Sequence, residues 1–282
     1  MSDDTLATLL ILSSAMLHAV WNAAVKHSQD KFATIVFVTT YGSFLYIPFT
    51  AFVPFPGPVM WGWIAASAVC HLLYQLSLAA ALERGALTFA YPVARGTGPM
   101  LVVLFATIFL GDTLPATKLA AIAVLLLGIF LTAGLNVQKG GVSSNAFSFA
   151  VLTGGMIASY TIVDGLAVRS AENPLTFIIW AGVAGAPMIF IIGLKQRGWG
   201  LLSASLRVWR QGVVASIPAH GGYALALIAY RLGNLGEIAA LRETSIVFAS
   251  IIGFMWLKEP FTKNKLLSVL LIAAGALALK IA

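Results

Sequence analysis

Two arginines lie within apolar stretches of this sequence, where a charged side chain is costly. Arg95 is in the segment 91–99 (YPVARGTGP), inside an apolar run from about residue 86 to residue 110. Arg242 is in the segment 241–245 (LRETS), inside a second apolar run. A guanidinium stays charged at any workable pH and can bind a carboxylate through two parallel hydrogen bonds. Because charges inside membrane spans usually serve a function, both arginines are candidates for binding an anionic substrate.

The backbone beside Arg95 is expected to be irregular. Pro92 and Pro99 flank this arginine, and a proline within a helix removes one backbone hydrogen bond. Such breaks are tolerated in a membrane where they adjoin a cavity. These two prolines and Pro218 therefore mark positions at which helices can bend.

The two arginines belong to an internal repeat, since they are 147 positions apart and other residue pairs share this offset. The matching pairs are Asp112 and Glu259, Lys118 and Lys265, and Gly128 and Gly275. Four matches at one offset indicate a duplication, with Arg95 and Arg242 at equivalent positions. The repeat divides the chain near Gly140 and predicts one unit over 1–139 and a second over 140–282.

The composition identifies the class of protein. Of the 282 residues, 60% are hydrophobic and 10% are charged, and the mean hydropathy is +0.93. A globular protein carries about 25% charged residues, so this chain is predicted to be an integral membrane protein. The net charge of +7 is spread over short connections, which favours a role in membrane orientation and gives no indication of nucleic-acid binding. With Cys70 as its single cysteine, the chain offers no disulfide and no metal cluster, and we expect no cofactor.

The apolar pattern predicts an all-α polytopic protein with ten transmembrane helices, each about the 20 residues that a span needs. The predicted spans are roughly 5–26, 32–54, 59–82, 86–110, 116–136, 145–168, 174–194, 209–230, 236–257 and 264–281. Five spans per unit place the second unit upside down relative to the first, as in many secondary transporters with a midplane cavity. The longest connection, near 195–208, fits either a short interfacial helix or an irregular loop.

Polar side chains recur three or four residues apart in spans 1, 3, 4, 6, 8 and 9, which places them on one face of each helix. These six helices are predicted to enclose the cavity, and the other four to face lipid or to hold the halves together. Besides the two arginines, the candidate substrate contacts are Trp21, Asn22, His71, Tyr74, Gln75, Tyr91, Tyr160 and Tyr223. The candidates for proton or ion coupling are His18, Asp164, His220 and Glu243, and His71 is a further candidate.

Each of these residues also has a structural interpretation. Tyrosines and Gln75 inside a bundle serve helix packing as readily as a pocket, because polar groups often join membrane helices. His18 and His71 fit satisfied hydrogen-bonding roles, and Asp164 can pair with either arginine. The two arginines can form a charge cluster with Glu243 that fixes the contact between the halves. Such pairing lowers the cost of burial without proving a role.

Lysine and arginine are distributed unequally between the two predicted membrane faces. The connections after spans 1, 3, 5, 7 and 9 carry eleven of them, and the opposite face carries four. By the positive-inside rule, both termini are then expected outside the cytoplasm.

Several segments resemble the ten-span EamA-type form of the drug/metabolite transporter superfamily. They are 18–22 (HAVWN), 91–99, 109–112 (FLGD), 241–245 and 256–260 (WLKEP). The resemblance covers nearly the whole chain and implies two inverted five-helix repeats around a central cavity, with spans 5 and 10 packed together. It leaves the substrate open, because the superfamily moves amino acids, sugars, nucleotide sugars and drugs.

The sequence therefore predicts a monomeric or weakly oligomeric carrier in the inner membrane, which exports amino acids, including aromatic ones, or related metabolites by alternating access. Efflux of drugs, sugars or nucleotide sugars is the alternative, in which case Asp164 or Glu243 would be the essential site for a cationic drug. An intramembrane enzyme is disfavoured because the chain has no HExxH motif, no nucleophile elbow and no metal-ligand spacing.

Overall fold

The computed structural model describes residues 2–84, 87–134, 144–256, 258 and 262–282, and all regular structure within them is helical. The α-helices are α1 (Asp3–His27), α2 (Lys31–Val36), α3 (Pro58–Arg84), α4 (Leu87–Phe109), α5 (Ala116–Gly134), α6 (Ser144–Ser170), α7 (Pro174–Arg197), α8 (Gly200–Arg207), α9 (Trp209–Leu232), α10 (Leu235–Arg242), α11 (Ser245–Met255) and α12 (Lys263–Ile281). The predicted boundary near Gly140 lies outside the described residues, as does Glu259.

These helices account for the ten predicted spans. Within the described residues, nine segments are long and apolar enough to cross a membrane, and a shorter apolar helix covers Ala116–Thr132. A hydrophobic helix of about 20 residues matches the thickness of a bilayer. The protein is therefore a polytopic membrane protein, as the sequence predicted. The connection near 195–208 contains the short helix α8, with Trp199 and Leu206 exposed beside and on it.

The second span (Lys31–Phe52) is not a regular α-helix, although the sequence suggested nothing unusual there. Its α-helical part, α2, continues into a π-helical turn, Phe37–Tyr41, and then into a 3₁₀ segment, Gly42–Phe52. The run from 35 to 40 (IVFVTT) is rich in β-branched residues, which have low helix propensity. Pro48 lacks a backbone N–H further on. Departures of this kind are frequent at functional sites.

The ninth span is broken, while its repeat equivalent is continuous. α10 ends at Arg242 and α11 begins at Ser245, so that Glu243 and Thr244 interrupt the helix. By contrast, α4 runs as one helix through both Pro92 and Pro99. The expected loosening of the backbone beside the first arginine is therefore not a helix break.

Equivalent helices of the two repeats pack in equivalent ways. α1 packs along α9, and the corresponding helices α6 and α3 also pack together, as a two-fold relation requires. α5 packs against α12, which agrees with the small residues in both. A Cβ on Gly128 would lie 2.9 Å from the backbone nitrogen of Ile272, and one on Gly275 would lie 2.6 Å from that of Leu125. Glycine at these equivalent positions thus allows the two backbones to approach closely.

Candidate substrate cavity

A cavity of about 290 Å³ lies between the repeats. Its volume is near the lower end of the range for small-molecule pockets, about 300–1,000 Å³. The predicted site residues that line it are His18, Trp21, His71, Tyr74, Gln75, Tyr160, His220, Tyr223 and Arg242. The sequence therefore identified most of the aromatic and basic side chains that the fold brings together here.

The helices that line the cavity differ in part from those predicted. The second span contributes Thr39, Ser43 and Tyr46, and α7 contributes Gly182 and Gly185. Both were expected to face lipid or to join the halves, because neither contains a polar cluster comparable to those of the six predicted lining spans. Among the side chains that the structure describes, none that lines the cavity comes from α4. Small and weakly polar residues can line a cavity wall as well as charged ones can. Their spacing in the sequence, however, does not distinguish a cavity wall from a helix-packing surface.

Arg242 supplies the positive charge in the cavity wall. Its Nη1 donates a hydrogen bond of 3.3 Å to the Tyr230 hydroxyl, while its buried Nε has no partner. Among the described residues, it forms no ion pair with a carboxylate. A guanidinium that is partly buried without a carboxylate partner can bind an anionic group from the cavity.

Arg95 is buried and paired with an acidic residue outside the cavity wall. Its Nε lies 2.8 Å from Oε2 of Glu243, without the alignment of a hydrogen bond, and its Nη2 donates to Ser245 Oγ at 2.7 Å. Arg95 and Glu243 are 5% and 2% exposed, so each neutralises the other away from water. The structure thus places only one of the two predicted arginines in the cavity. The Arg95–Glu243 pair joins α4 to the break between α10 and α11.

A second polar cluster surrounds Asp164 on α6. Oδ2 of this carboxylate is 3.3 Å from His71 Nε2, and it accepts a 2.9 Å hydrogen bond from the Tyr223 hydroxyl. Asp164 is 1% exposed, so His71 and Tyr223 lie between it and the cavity. The His71 ring stacks on Tyr160 at 4.3 Å, and Tyr74 meets Tyr160 edge-on at 5.6 Å. The result is a flat aromatic wall supported by a buried carboxylate, which does not pair with either arginine as the sequence had allowed.

On the other side of the cavity, α1 presents a smaller aromatic group. Trp21 Nε1 donates to Nδ1 of His18 at 3.2 Å, and the two rings meet edge-on. Asn22 donates to the backbone oxygen of His18 and does not line the cavity. Tyr91, also predicted as a substrate contact, lies outside the wall with its ring 5.9 Å from the Arg95 guanidinium carbon.

His220 holds the irregular second span against α9. Its Nε2 is 2.9 Å from the backbone oxygen of Val38, in the π-helical turn. Tyr46 packs edge-on against the same ring. A Cβ on Gly42 would lie 2.6 Å from His220 Nε2, so glycine permits this close contact. The imidazole thus satisfies a carbonyl next to the cavity, and this role explains why a helix of irregular geometry is stable there.

The cavity extends toward one membrane face and is sealed from the other. The membrane face at which α1 and α7 end is named the cavity face. Three residues of the cavity wall, Trp21, Ile35 and Ile189, lie in the parts of their spans that are nearer this face. The opposite face, where α6 and α9 end, is named the latched face. There Arg169 donates to the backbone oxygens of Tyr230 and Gly233 at 2.8 and 2.7 Å, and Arg231 donates at 2.6 Å to those of Val168 and Ala171. These reciprocal hydrogen bonds tie α6 to α9.

A charged network closes the rest of the latched face. Glu237 on α10 is 3% exposed and lies between two ammonium groups, with Lys118 Nζ at 2.7 Å and Lys280 Nζ at 2.5 Å. Lys280 also binds Asp4 at 3.0 Å. Because these residues belong to α10, α5, α12 and α1, the network joins the packed helices α5 and α12 to α1 and α10, which contribute residues to the cavity wall. Asp112 adds a hydrogen bond from the N–H of Leu235 at 3.2 Å.

The comparison with protein families identifies the chain. The model of the EamA-like transporter family matches residues 5–134 and again residues 145–280. The chain belongs to the EamA-like transporter family. Its membership agrees with the drug/metabolite transporter superfamily and makes this protein a membrane transporter built from two EamA repeats.

Solved structures support the fold. Among the 28 chains that match, one described only as "Crystal structure of protein" superposes with a TM-score of 0.78 at 16% sequence identity. The match covers 98% of each chain. At this identity the likeness concerns the fold alone. No curated protein matches the chain.

Proposed function

We propose that this EamA-like transporter exports amino acids, aromatic ones among them, or related carboxylate-bearing metabolites. The supporting observation is that Arg242, which forms no ion pair with a carboxylate among the residues that the structure describes, lies beside an aromatic cavity wall. A carboxylate would satisfy the guanidinium, while Trp21, Tyr74 and Tyr160 would contact an apolar or aromatic side chain. Arg95 is not part of this proposal because it lies outside the cavity wall and pairs with Glu243.

Alternating access is proposed from the difference between the two faces. The cavity reaches toward one of them, while hydrogen bonds and ion pairs seal the other. Transport would require the ion pairs around Glu237 to break. The hydrogen bonds that Arg169 and Arg231 donate to backbone oxygens would have to break as well. Inverted repeats allow the equivalent contacts to form on the opposite face.

The orientation is proposed from the distribution of the basic residues. The cavity face receives the connections that carry eleven of the lysines and arginines. We therefore propose that this face lies in the cytoplasm of a cell bounded by an inner membrane, with both termini outside. A cavity that is open to the cytoplasm is suited to loading a substrate for export.

Efflux of cationic drugs is the second transport hypothesis, and it would need an accessible carboxylate. Asp164 is covered by His71 and Tyr223, and Glu243 is paired with Arg95. The cavity therefore presents no accessible carboxylate to a cationic drug among the described residues, whereas Arg242 can bind an anion. Asp164 with His71 is a candidate site for proton coupling, while facilitated diffusion fits the same geometry. Flux across a vesicle membrane would distinguish a carrier from an intramembrane enzyme.

The test is uptake into proteoliposomes of labelled amino acids, organic acids, sugars and cationic drugs, with and without a pH gradient. We expect carboxylate-bearing substrates to be transported, and we expect Arg242→Ala to lower their kcat/KM at least about tenfold. Arg84→Ala, which removes an exposed arginine, is the matched control and should transport normally. Normal amino-acid transport by Arg242→Ala, or uptake confined to sugars or cationic drugs, would contradict the proposal.

A further inference from the structure

One wall of the cavity consists of small and apolar residues from a single helix. Ala181, Gly182, Gly185 and Ile189 of α7 line the cavity. Gly182, Gly185 and Ile189 are three or four residues apart, which places them on one helix face, and Ala181 adjoins Gly182. No charged side chain of α7 reaches this wall among the described residues. The wall is therefore suited to the apolar part of a bound molecule.

The two glycines in this wall have different surroundings. A Cβ on Gly182 would clash with the ring of Tyr46, so glycine there provides the space in which the second span packs. A Cβ on Gly185 would meet no atom within 4 Å. Packing of the protein thus explains Gly182 but not Gly185, because well-packed interiors contain few such voids.

We propose that Gly185 forms the floor of a recess that holds the substrate's side chain and sets the largest side chain the transporter accepts. This inference rests on the proposed function, in which Arg242 binds the carboxylate. It assigns size selection to a residue that bears no functional group. Substrates with small side chains would leave the recess empty, and substrates with bulky ones would fill it.

The positions of Gly185 and Arg242 along their helices fit this assignment. α7 and α10 both begin at the latched face, Gly185 being eleven residues into α7 and Arg242 seven residues into α10. At 1.5 Å per residue these correspond to about 16 Å and about 10 Å. Counted from the starts of their helices, Gly185 is therefore further along its span toward the cavity face than the backbone of Arg242 is. A carboxylate bound at Arg242 would direct the remainder of an amino acid toward this wall.

Substitution by progressively larger residues tests the recess, since Gly185→Ala, Gly185→Val and Gly185→Leu should fill it stepwise. Gly62→Val is the matched control: Gly62 is an exposed helical glycine whose Cβ would also meet no atom within 4 Å, and it lies outside the cavity wall. The measurement is the kcat/KM for uptake of labelled alanine and labelled phenylalanine by proteoliposomes.

We expect Gly185→Leu to lower the ratio of kcat/KM for phenylalanine to that for alanine at least tenfold. The variant Gly185→Val should lower this ratio less, and the control Gly62→Val should leave it unchanged. Equal effects on both substrates would overturn the proposal, as would an unchanged ratio. If the wild-type protein transports no carboxylate-bearing substrate, the proposed function fails and a second measurement tests the recess itself. In a Cys70→Ser background, Gly185→Cys should react with a water-soluble maleimide applied to the cavity face, and lack of reaction in the folded protein would refute the recess.

Discussion

Arg95 and Arg242 occupy equivalent positions in two copies of one repeat, yet their surroundings differ. Glu243 and Ser245 both contact Arg95, and they follow the second arginine in the sequence. The positions 147 residues earlier hold Gly96 and Gly98, which supply no such groups to Arg242. The second copy therefore neutralises the arginine of the first copy, and its own arginine is left facing the cavity.

The glycines of the first copy have a packing role instead. A Cβ at Gly96 would lie 2.7 Å from the ring of Phe130, and one at Gly98 would lie 2.7 Å from Ile157. They let α4 approach its neighbours and remain continuous, while the equivalent span is broken after Arg242. The comparison indicates that the fourth span packs against its neighbours, while the equivalent span of the second copy places its arginine in the cavity wall.

Breaking the buried ion pair should produce the largest effect. Glu243→Gln leaves the Arg95 guanidinium buried without a compensating charge, which typically destabilises a protein by about 3–5 kcal/mol. The double variant Arg95→Met/Glu243→Met should recover most of the lost stability and still transport substrate. Thermal unfolding in detergent and uptake by proteoliposomes measure the two properties. A double variant that folds but does not transport would show that Arg95 has a role in binding.

Removing the other arginine should affect binding more than folding. Arg242→Ala should weaken carboxylate binding by about 1.5–3 kcal/mol, the range for hydrogen bonds to charged groups, or about 10–150-fold in Kd. Substrate-induced stabilisation in detergent provides the measurement. Arg242→Lys retains the charge without the bidentate geometry, so its Kd should lie between those of the wild type and Arg242→Ala. An Arg242→Ala variant that loses as much stability as Glu243→Gln would contradict the contrast between the two sites.

The equivalent glycines Gly128 and Gly275 should behave alike, in contrast to the arginines. A valine at either position would overpack the contact between α5 and α12, and overpacking typically costs about 1–3 kcal/mol. We expect similar losses of thermal stability for Gly128→Val and Gly275→Val, with Gly62→Val unchanged as the control. Unequal losses would show that this contact has also diverged between the copies.

The smallest effect is expected for the exposed ion pair at the cavity face. Arg197 Nη1 lies 2.5 Å from Asp30 Oδ2, with side chains 42% and 33% exposed. The pKa of the Asp30 carboxyl is lowered, chiefly because the N–H of Ala33 donates to it and also because of Arg197. A lowered pKa stabilises the folded state above the ordinary value of about 3.9, and this contribution is lost as the pH falls through the lowered value.

Asp30→Asn should therefore cost less than about 1 kcal/mol at pH 7, as is usual for exposed pairs. The difference from wild type should shrink as the pH is reduced below about 4. Thermal unfolding between pH 7 and pH 3 measures this dependence, with Glu83→Gln at an exposed site as the control. If the stability difference between wild type and Asp30→Asn grows on acidification, the pKa of Asp30 is not lowered in the folded state.

Much of the fold could be predicted because membrane spans obey a local rule. Twenty apolar residues in sequence indicate a spanning helix whatever lies around it, and the offset of 147 residues indicated the repeat. The π-helical and 3₁₀ geometry of the second span could not be predicted in this way. Its carbonyl at Val38 is satisfied by His220, which is 182 residues away.

Most aromatic and basic residues of the cavity were predicted from helical spacing, since a polar stripe in an apolar helix needs a polar neighbour. Gly185 and Gly182 were not predicted, because a glycine in a membrane helix indicates close packing and open space equally well. Only the neighbouring helices distinguish the two: Tyr46 fills the space at one glycine and nothing fills it at the other.

The sequence by itself determined the class of protein, the number of spans, the repeat and the two arginines, since each depends on residue types and their spacing. The tertiary structure decided which arginine faces the cavity, which face is sealed and which glycine is open. The physical reason is that a buried charge is neutralised only by a partner of opposite charge, and the partners of Arg95 and Glu237 come from other helices.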